Sequence, residues 1–109
     1  MRKTVTATIV TAALMAAAVN AHAVQLRGAR SCGEWTSDKG NVQLTDPDRA
    51  WALGLLSGMA FVTGKDVLRG TDNEAIFLHI DTYCRAKPLE SAVTAIEILF
   101  DALAKQKGL

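Results

Sequence analysis

Cysteine, proline, tyrosine and histidine are all scarce in this 109-residue chain: two cysteines, two prolines, one tyrosine and two histidines. Each scarcity excludes something. The two cysteines, Cys32 and Cys84, are not arranged as Cys-x-x-Cys, so neither a thioredoxin-type redox site nor a zinc knuckle is indicated. With His79 they would make three soft ligands without paired spacing, so no metal is expected. No serine stands in a Gly-x-Ser-x-Gly elbow, and no calcium loop is present. Charge is nearly balanced, with 12 Lys+Arg against 11 Asp+Glu, and no block of one sign occurs. The basic stripe that nucleic acid requires is therefore missing. No apolar run reaches the roughly 20 residues of a membrane span.

What is present begins with "MRKTVTATIVTAALMAAAVNAHAVQ". Arg2 and Lys3 give a positive start, Ile9 to Val19 is apolar and built of small residues, and Ala21-His22-Ala23 is an A-x-A site. This is the layout of a secretory signal peptide cleaved after Ala23, with an uncleaved anchor as the competing reading. No cysteine follows the apolar run, which argues against a lipoprotein. The mature chain, Val24 to Leu109, is short enough for one domain only, with an irregular segment to about residue 30. Arg2 and Lys3 are lost from it, which leaves 10 Lys+Arg against 11 acids. Export puts Cys32 and Cys84 in an oxidising compartment, the periplasm, where two cysteines of a small domain are usually bridged. Such a bridge is worth about 4 kcal/mol in the chain-entropy model. The sequence leaves an intermolecular bridge, and a homodimer, open.

The mature part reads as helix. Ser31 and Glu34 form a capping box for a short helix from Cys32 to about Ser37. "KGNVQLTDPDR" reads as a loop, with Asp46 capping the next helix and Pro47 at its first position. That helix is apolar nearly all round from Ala50 to Val62, which predicts burial on several sides and a central place. Gly54 and Gly58 lie one turn apart and would let another backbone come close, and Gly64 would end the helix in left-handed geometry. "TGKDVLRG" is no phosphate loop: five residues separate Gly58 from Gly64, Asp66 stands where a hydroxyl is needed, and no strand precedes. Thr71 and Glu74 suggest a second capping box, opening a helix whose face is Ile76, Phe77, Ile80, Tyr83 and Cys84. Asp81 and Arg85 pair at i,i+4 on its other side. The last helix is expected from Pro88, with a stripe of Leu89, Ala92, Val93, Ile96, Leu99, Phe100 and Leu103 ending before Gly108. The expected fold is all-α, a small bundle of three to four helices with one disulfide.

A catalytic constellation does not assemble. His79 lies mid-helix beside the apolar face and reads as a half-buried structural residue, with Asp81 as a solvated charge. Asp46 and Asp48 flank Pro47 at a helix start, where they cap and complement the dipole. Glu97, Asp101 and Lys105 follow one another at one-turn intervals as a solvated face. Trp35 and Trp51 could wall a ligand site, but two tryptophans in a small core usually pack. The chain is not expected to be an enzyme or to carry a cofactor.

"SCGEW", "AWALGLLSG" and "IDTYCRAKPL" resemble, respectively, the opening cysteine segment, the central apolar helix and the second-cysteine helix of the HdeA/HdeB acid-stress chaperones of the bacterial periplasm. The resemblance covers roughly residues 31–104 and rests on cysteine placement and helix order. Cys-Gly-x-Trp, Trp-x-x-Gly-x-x-Ser-Gly and Tyr-Cys-x-x-x-Pro-Leu together resemble a broad group of secreted bacterial proteins distantly linked to HdeA. The chain is also similar to periplasmic helical immunity proteins that neutralise type VI effectors, without their further cysteines or Cys-x-Pro-x-Gly-like segment.

The resemblance implies a protein partner. Below the carboxylate range the mature chain would carry about +12, and self-repulsion favours expansion. Protonation of Asp46 and Asp72 would weaken two helix starts, and the bridge would tether the opened chain. The Ala50–Val62 helix would then meet unfolded clients, with Trp51, Leu55, Met59 and Phe61 as the candidate surface. The competing expectation is a partner-specific binder, such as an immunity protein or an inhibitor; a third is a structural role in the envelope.

Overall fold

Ser31 begins the ordered helical part as the sequence suggests. In the computed structural model, which describes residues 24–109, its hydroxyl accepts from the Glu34 N–H at 3.1 Å, and the Glu34 carboxylate accepts from the Ser31 N–H at 2.9 Å. This complete capping box starts α1, Cys32–Ser37. The elements that follow are α2, Val42–Thr63; α3, Asn73–Ala86; and α4, Ala92–Gln106. No strand occurs among the described residues, and the fold is an all-α bundle with an intrachain Cys32–Cys84 disulfide. The expected signal peptide lies outside the described residues.

A helix as short as α1 has little stability of its own. Three attachments hold it. The disulfide joins its first residue to α3, with both cysteines fully buried. The Cys32 N–H donates to the Glu90 carbonyl at 2.8 Å, and the Ala92 N–H donates to the Arg30 carbonyl at 3.0 Å. These two bonds sew the start of α1 to the start of α4. Finally, the Trp35 indole N–H donates to Asp81 on α3 at 2.7 Å.

Helix α2 starts five residues earlier than Pro47. Asn41, in extended geometry, accepts from the Gln43 N–H and is the cap; Asp46 is not. The connection from α1 is short, and the Thr45 hydroxyl donates to the Asp38 carbonyl at 2.7 Å, so the residues read as loop are held as helical turns. Pro47 is tolerated inside the helix close to its N-terminus. At the far end Gly64 adopts φ +69°, the left-handed stop expected of it.

Two further starts also differ. The cap of α3 is Asp72, which accepts from the Ala75 N–H at 2.8 Å, not the Thr71–Glu74 pair. The Thr71 hydroxyl is turned back to the Val67 carbonyl at 3.4 Å and receives a bond from Lys107 at the end of α4. The cap of α4 is Ser91, so Pro88 and Leu89 lie in a turn and Leu89 is fully exposed. Backbone groups of Glu90 and Ala92 are committed to the N-terminal segment, which keeps the chain extended until Ser91.

The core is centred on α4 rather than α2. Ala92, Ala95, Ile96, Leu99, Phe100, Leu103 and Ala104 are all buried there. Ile76, Phe77, Ile80 and Cys84 of α3 meet them, with Val67 from the α2–α3 connection. From α2 only Ala52 and Leu56 join as buried apolar residues. Each fully buried aliphatic side chain contributes about 1.5–3 kcal/mol. The expectation that α2 is enclosed fails because one face suffices to dock it on α4.

Candidate functional site

From Ala50 to Thr63, α2 carries no charged residue. Ala52 and Leu56 fix its inner side. Its outer side stays open over the last three turns: Phe61 is 89% exposed and Val62 84%. Nothing lies within 4 Å of where a Cβ would stand at Gly54 or Gly58. The close backbone approach expected at these glycines is therefore not used inside the fold. Gly54, Leu55, Gly58, Met59, Val62 and Thr63 line a shallow apolar groove of about 420 Å³.

A second groove, of about 500 Å³, shares Leu55 and Met59 and continues to Val93 and Glu97 of α4. Its far wall is the N-terminal segment, through Val24, Leu26 and Ala29. This segment is held by Trp51, whose indole N–H donates to the Arg27 carbonyl at 2.7 Å. Gly28, at φ +79°, lies flat against the same ring; a Cβ there would stand 2.9 Å from it. Only glycine fits that combination of left-handed backbone and close approach.

The four residues nominated as a client surface thus have different surroundings. Leu55 and Met59 line both grooves, Phe61 projects into solvent beside them, and Trp51 is half-buried under the N-terminal segment. Val62, Leu26 and Val93 complete the apolar surface. Val62 was legible in the same uncharged run; Leu26 and Val93 come from distant parts of the chain and carried no local signal.

The opposite end of α2 is polar and closed. Asp48 and Asp38, 7% and 8% exposed, meet the Arg30 guanidinium. Arg30 Nε is 2.9 Å from Asp48 Oδ1 and 3.4 Å from Asp38 Oδ2. Asp48, expected to cap and complement the helix dipole, is instead a buried ion-pair partner. Burial pushes its carboxyl above the ordinary aspartate range, the neighbouring Asp38 carboxyl adds to this, and Arg30 opposes it. Asp81 is not a solvated charge either. It accepts from Trp35 and pairs with Lys39, so the expected Asp81–Arg85 pair does not form. The two tryptophans are engaged separately and line different cavities.

His79 is half-buried, as read, and its Nε2 has no hydrogen-bond partner. It lines none of the grooves described above. Glu97, Asp101 and Lys105 are exposed. Among the described residues no helix is long and apolar enough to cross a membrane. No protein-family model, no curated protein and no solved structure matches this chain.

Proposed function

We propose that the chain is a small exported, non-enzymatic protein that binds other proteins through the outer face of α2, as a periplasmic stress chaperone of the HdeA/HdeB kind. One observation carries this reading. A continuous uncharged apolar surface, from Gly54 to Val62, is open in the folded chain although the same helix is firmly docked through Ala52 and Leu56. Exposed apolar surface of this kind marks an interaction site. Its lack of charge suits loosely specified apolar segments better than one oriented ligand. Met59 at its centre adapts to varied shapes. Capture then does not wait for the bundle to open, and the charge repulsion that builds up in acid adds surface to one already present.

A specific partner, such as an effector bound by an immunity protein, is the second reading. Glu97 favours it, because it sets one charge at the rim of the groove beside Val93 and could orient a basic partner.

Light scattering of an aggregating client at pH 7 and pH 3, with the oxidised protein added, tests the proposal. Suppression at both values, lost in a Phe61→Ser/Val62→Ser variant that still folds, is expected. No suppression, or suppression untouched by the two substitutions, would contradict it. Capture of one stoichiometric partner without suppression would establish the second reading in its place.

A further inference from the structure

The junction of α1 and α2 holds two carboxyl groups in a space with one cation. Asp38 caps the end of α1 and Asp48 lies in the second turn of α2; the Asp48 side chain is 7% exposed and that of Asp38 12%. The single Nε hydrogen of Arg30 bonds Asp48, so its approach to Asp38 is electrostatic only. Asp38 Oδ2 and Asp48 Oδ2 are both buried without a hydrogen-bond donor. One atom, Arg30 Nε, stands 2.9 Å from Asp48 Oδ1 and 3.4 Å from Asp38 Oδ2, which sets the two carboxyls side by side. Buried carboxylate oxygens normally find donors, and two carboxylates sharing a site cannot both ionise freely.

Other charges around the pair are already engaged or exposed. Glu34 on α1 is half-exposed and competes weakly for Arg30 at 3.8 Å. Lys39, just past α1, is paired with Asp81 of α3, which also accepts from Trp35. Arg49 on α2 stacks over the Phe77 ring at 4.6 Å. Asp46, also on α2, is exposed. The two cavities bordering Asp48 are lined by no charged group of α4. Among the described residues no cation besides Arg30 forms an ion pair with either carboxyl, although Lys39 and Arg49 line the cavity that borders Asp48.

We propose that Asp38 and Asp48 hold one proton between them, forming a clasp at the α1–α2 junction that mild acid tightens rather than releases. The proton sits on one carboxyl oxygen and is donated to the other carboxyl. It removes the like-charge repulsion and supplies the donor that the orphaned oxygens lack, while the remaining carboxylate keeps Arg30. Arg30 in turn holds the N-terminal segment, so the clasp keeps that segment, α1 and the head of α2 together. The sign follows from Asp48. Its carboxyl is raised in the folded chain above the ordinary 3.8, so the native state binds this proton more readily than the unfolded state. The cost of two buried charges is present at neutral pH. It fades as pH falls through the raised value toward 3.8, opposite to a salt bridge that acid breaks. This inference is independent of the client-binding reading.

Carboxyl-carbon NMR titration of the full oxidised chain reads the proton directly. A step above the ordinary aspartate range is expected at the Asp48 carboxyl carbon. A titration of Asp48 in the ordinary range would overturn the proposal. Urea unfolding supplies a second readout. Asp48→Asn places a neutral donor against Asp38, so its midpoint should equal or exceed that of the parent at pH 7. The parent should gain on the variant as pH falls to 4. A variant less stable by the same margin at every pH, or one that does not fold, would refute the shared proton.

Discussion

The two halves of α2 have opposite relations to their sequence. The first half contains Asp46, Pro47, Asp48 and Arg49, reads as a polar loop and helix start, and is where the chain buries a carboxyl and stacks a half-buried cation over an aromatic ring. The second half is uncharged and apolar, reads as core, and is largely open. Composition alone does not decide burial; the available partners do. Helix α4 offers α2 one narrow seat, filled by Ala52 and Leu56, and among the described residues nothing covers Phe61 and Val62 on the far side. Around Asp48 three chain segments converge, so even charged groups are enclosed. The same helix thus joins a closed, specified end to an open, weakly specified one.

Breaking the closed end should cost most. Reduction of Cys32–Cys84, or Cys84→Ala, removes the tie between α1 and α3 and should cost about 4 kcal/mol in urea unfolding. Next is the seat of α2 itself. Leu56→Ala, at a fully buried position, should cost about 2–5 kcal/mol. Phe61→Ala, five residues along the same helix, should change stability by no more than about 0.5 kcal/mol. Equal losses at the two positions would abolish the distinction drawn between the halves. Trp35→Phe keeps the ring but strips Asp81 of its indole donor, and about 1–3 kcal/mol should be lost. A smaller loss sharpens the helix starts: Ser31→Ala should cost about 1 kcal/mol through the capping box. Thr71→Ala, whose hydroxyl caps nothing, should cost less; thermal melts of the two side by side decide it.

Much of the fold was legible. Ser31 with Glu34, Gly64, the cysteine pair, the apolar face of α3 and, from Ala92 on, that of α4 appear as read, whereas Leu89 falls outside the α4 stripe. The misread starts share one cause. Asp46, Thr71 and Pro88 each look like a terminus locally, but Asn41, Asp72 and Ser91 win because tertiary bonds fix the chain around them. The Thr45–Asp38 bond and the Arg30–Ala92 and Cys32–Glu90 pairings join residues with no mutual sequence signature. The candidate face was half legible. Leu55, Met59 and Phe61 stand out as apolar, yet an apolar helix does not announce which side its neighbours leave bare. The clasp was not legible, since Arg30, Asp38 and Asp48 come together only through the turn from α1 to α2.

The central claim is that the outer face of α2 receives protein partners while the clasped end does not. Amide NMR of the oxidised chain, titrated at pH 7 with a reduced and alkylated protein that cannot refold, tests it most directly. Perturbation is expected between Gly54 and Thr63, spreading to Leu26 and Val93, with Asp38 and Asp48 undisturbed. Perturbation centred on the α1–α2 junction, or none at saturating client, would contradict the account.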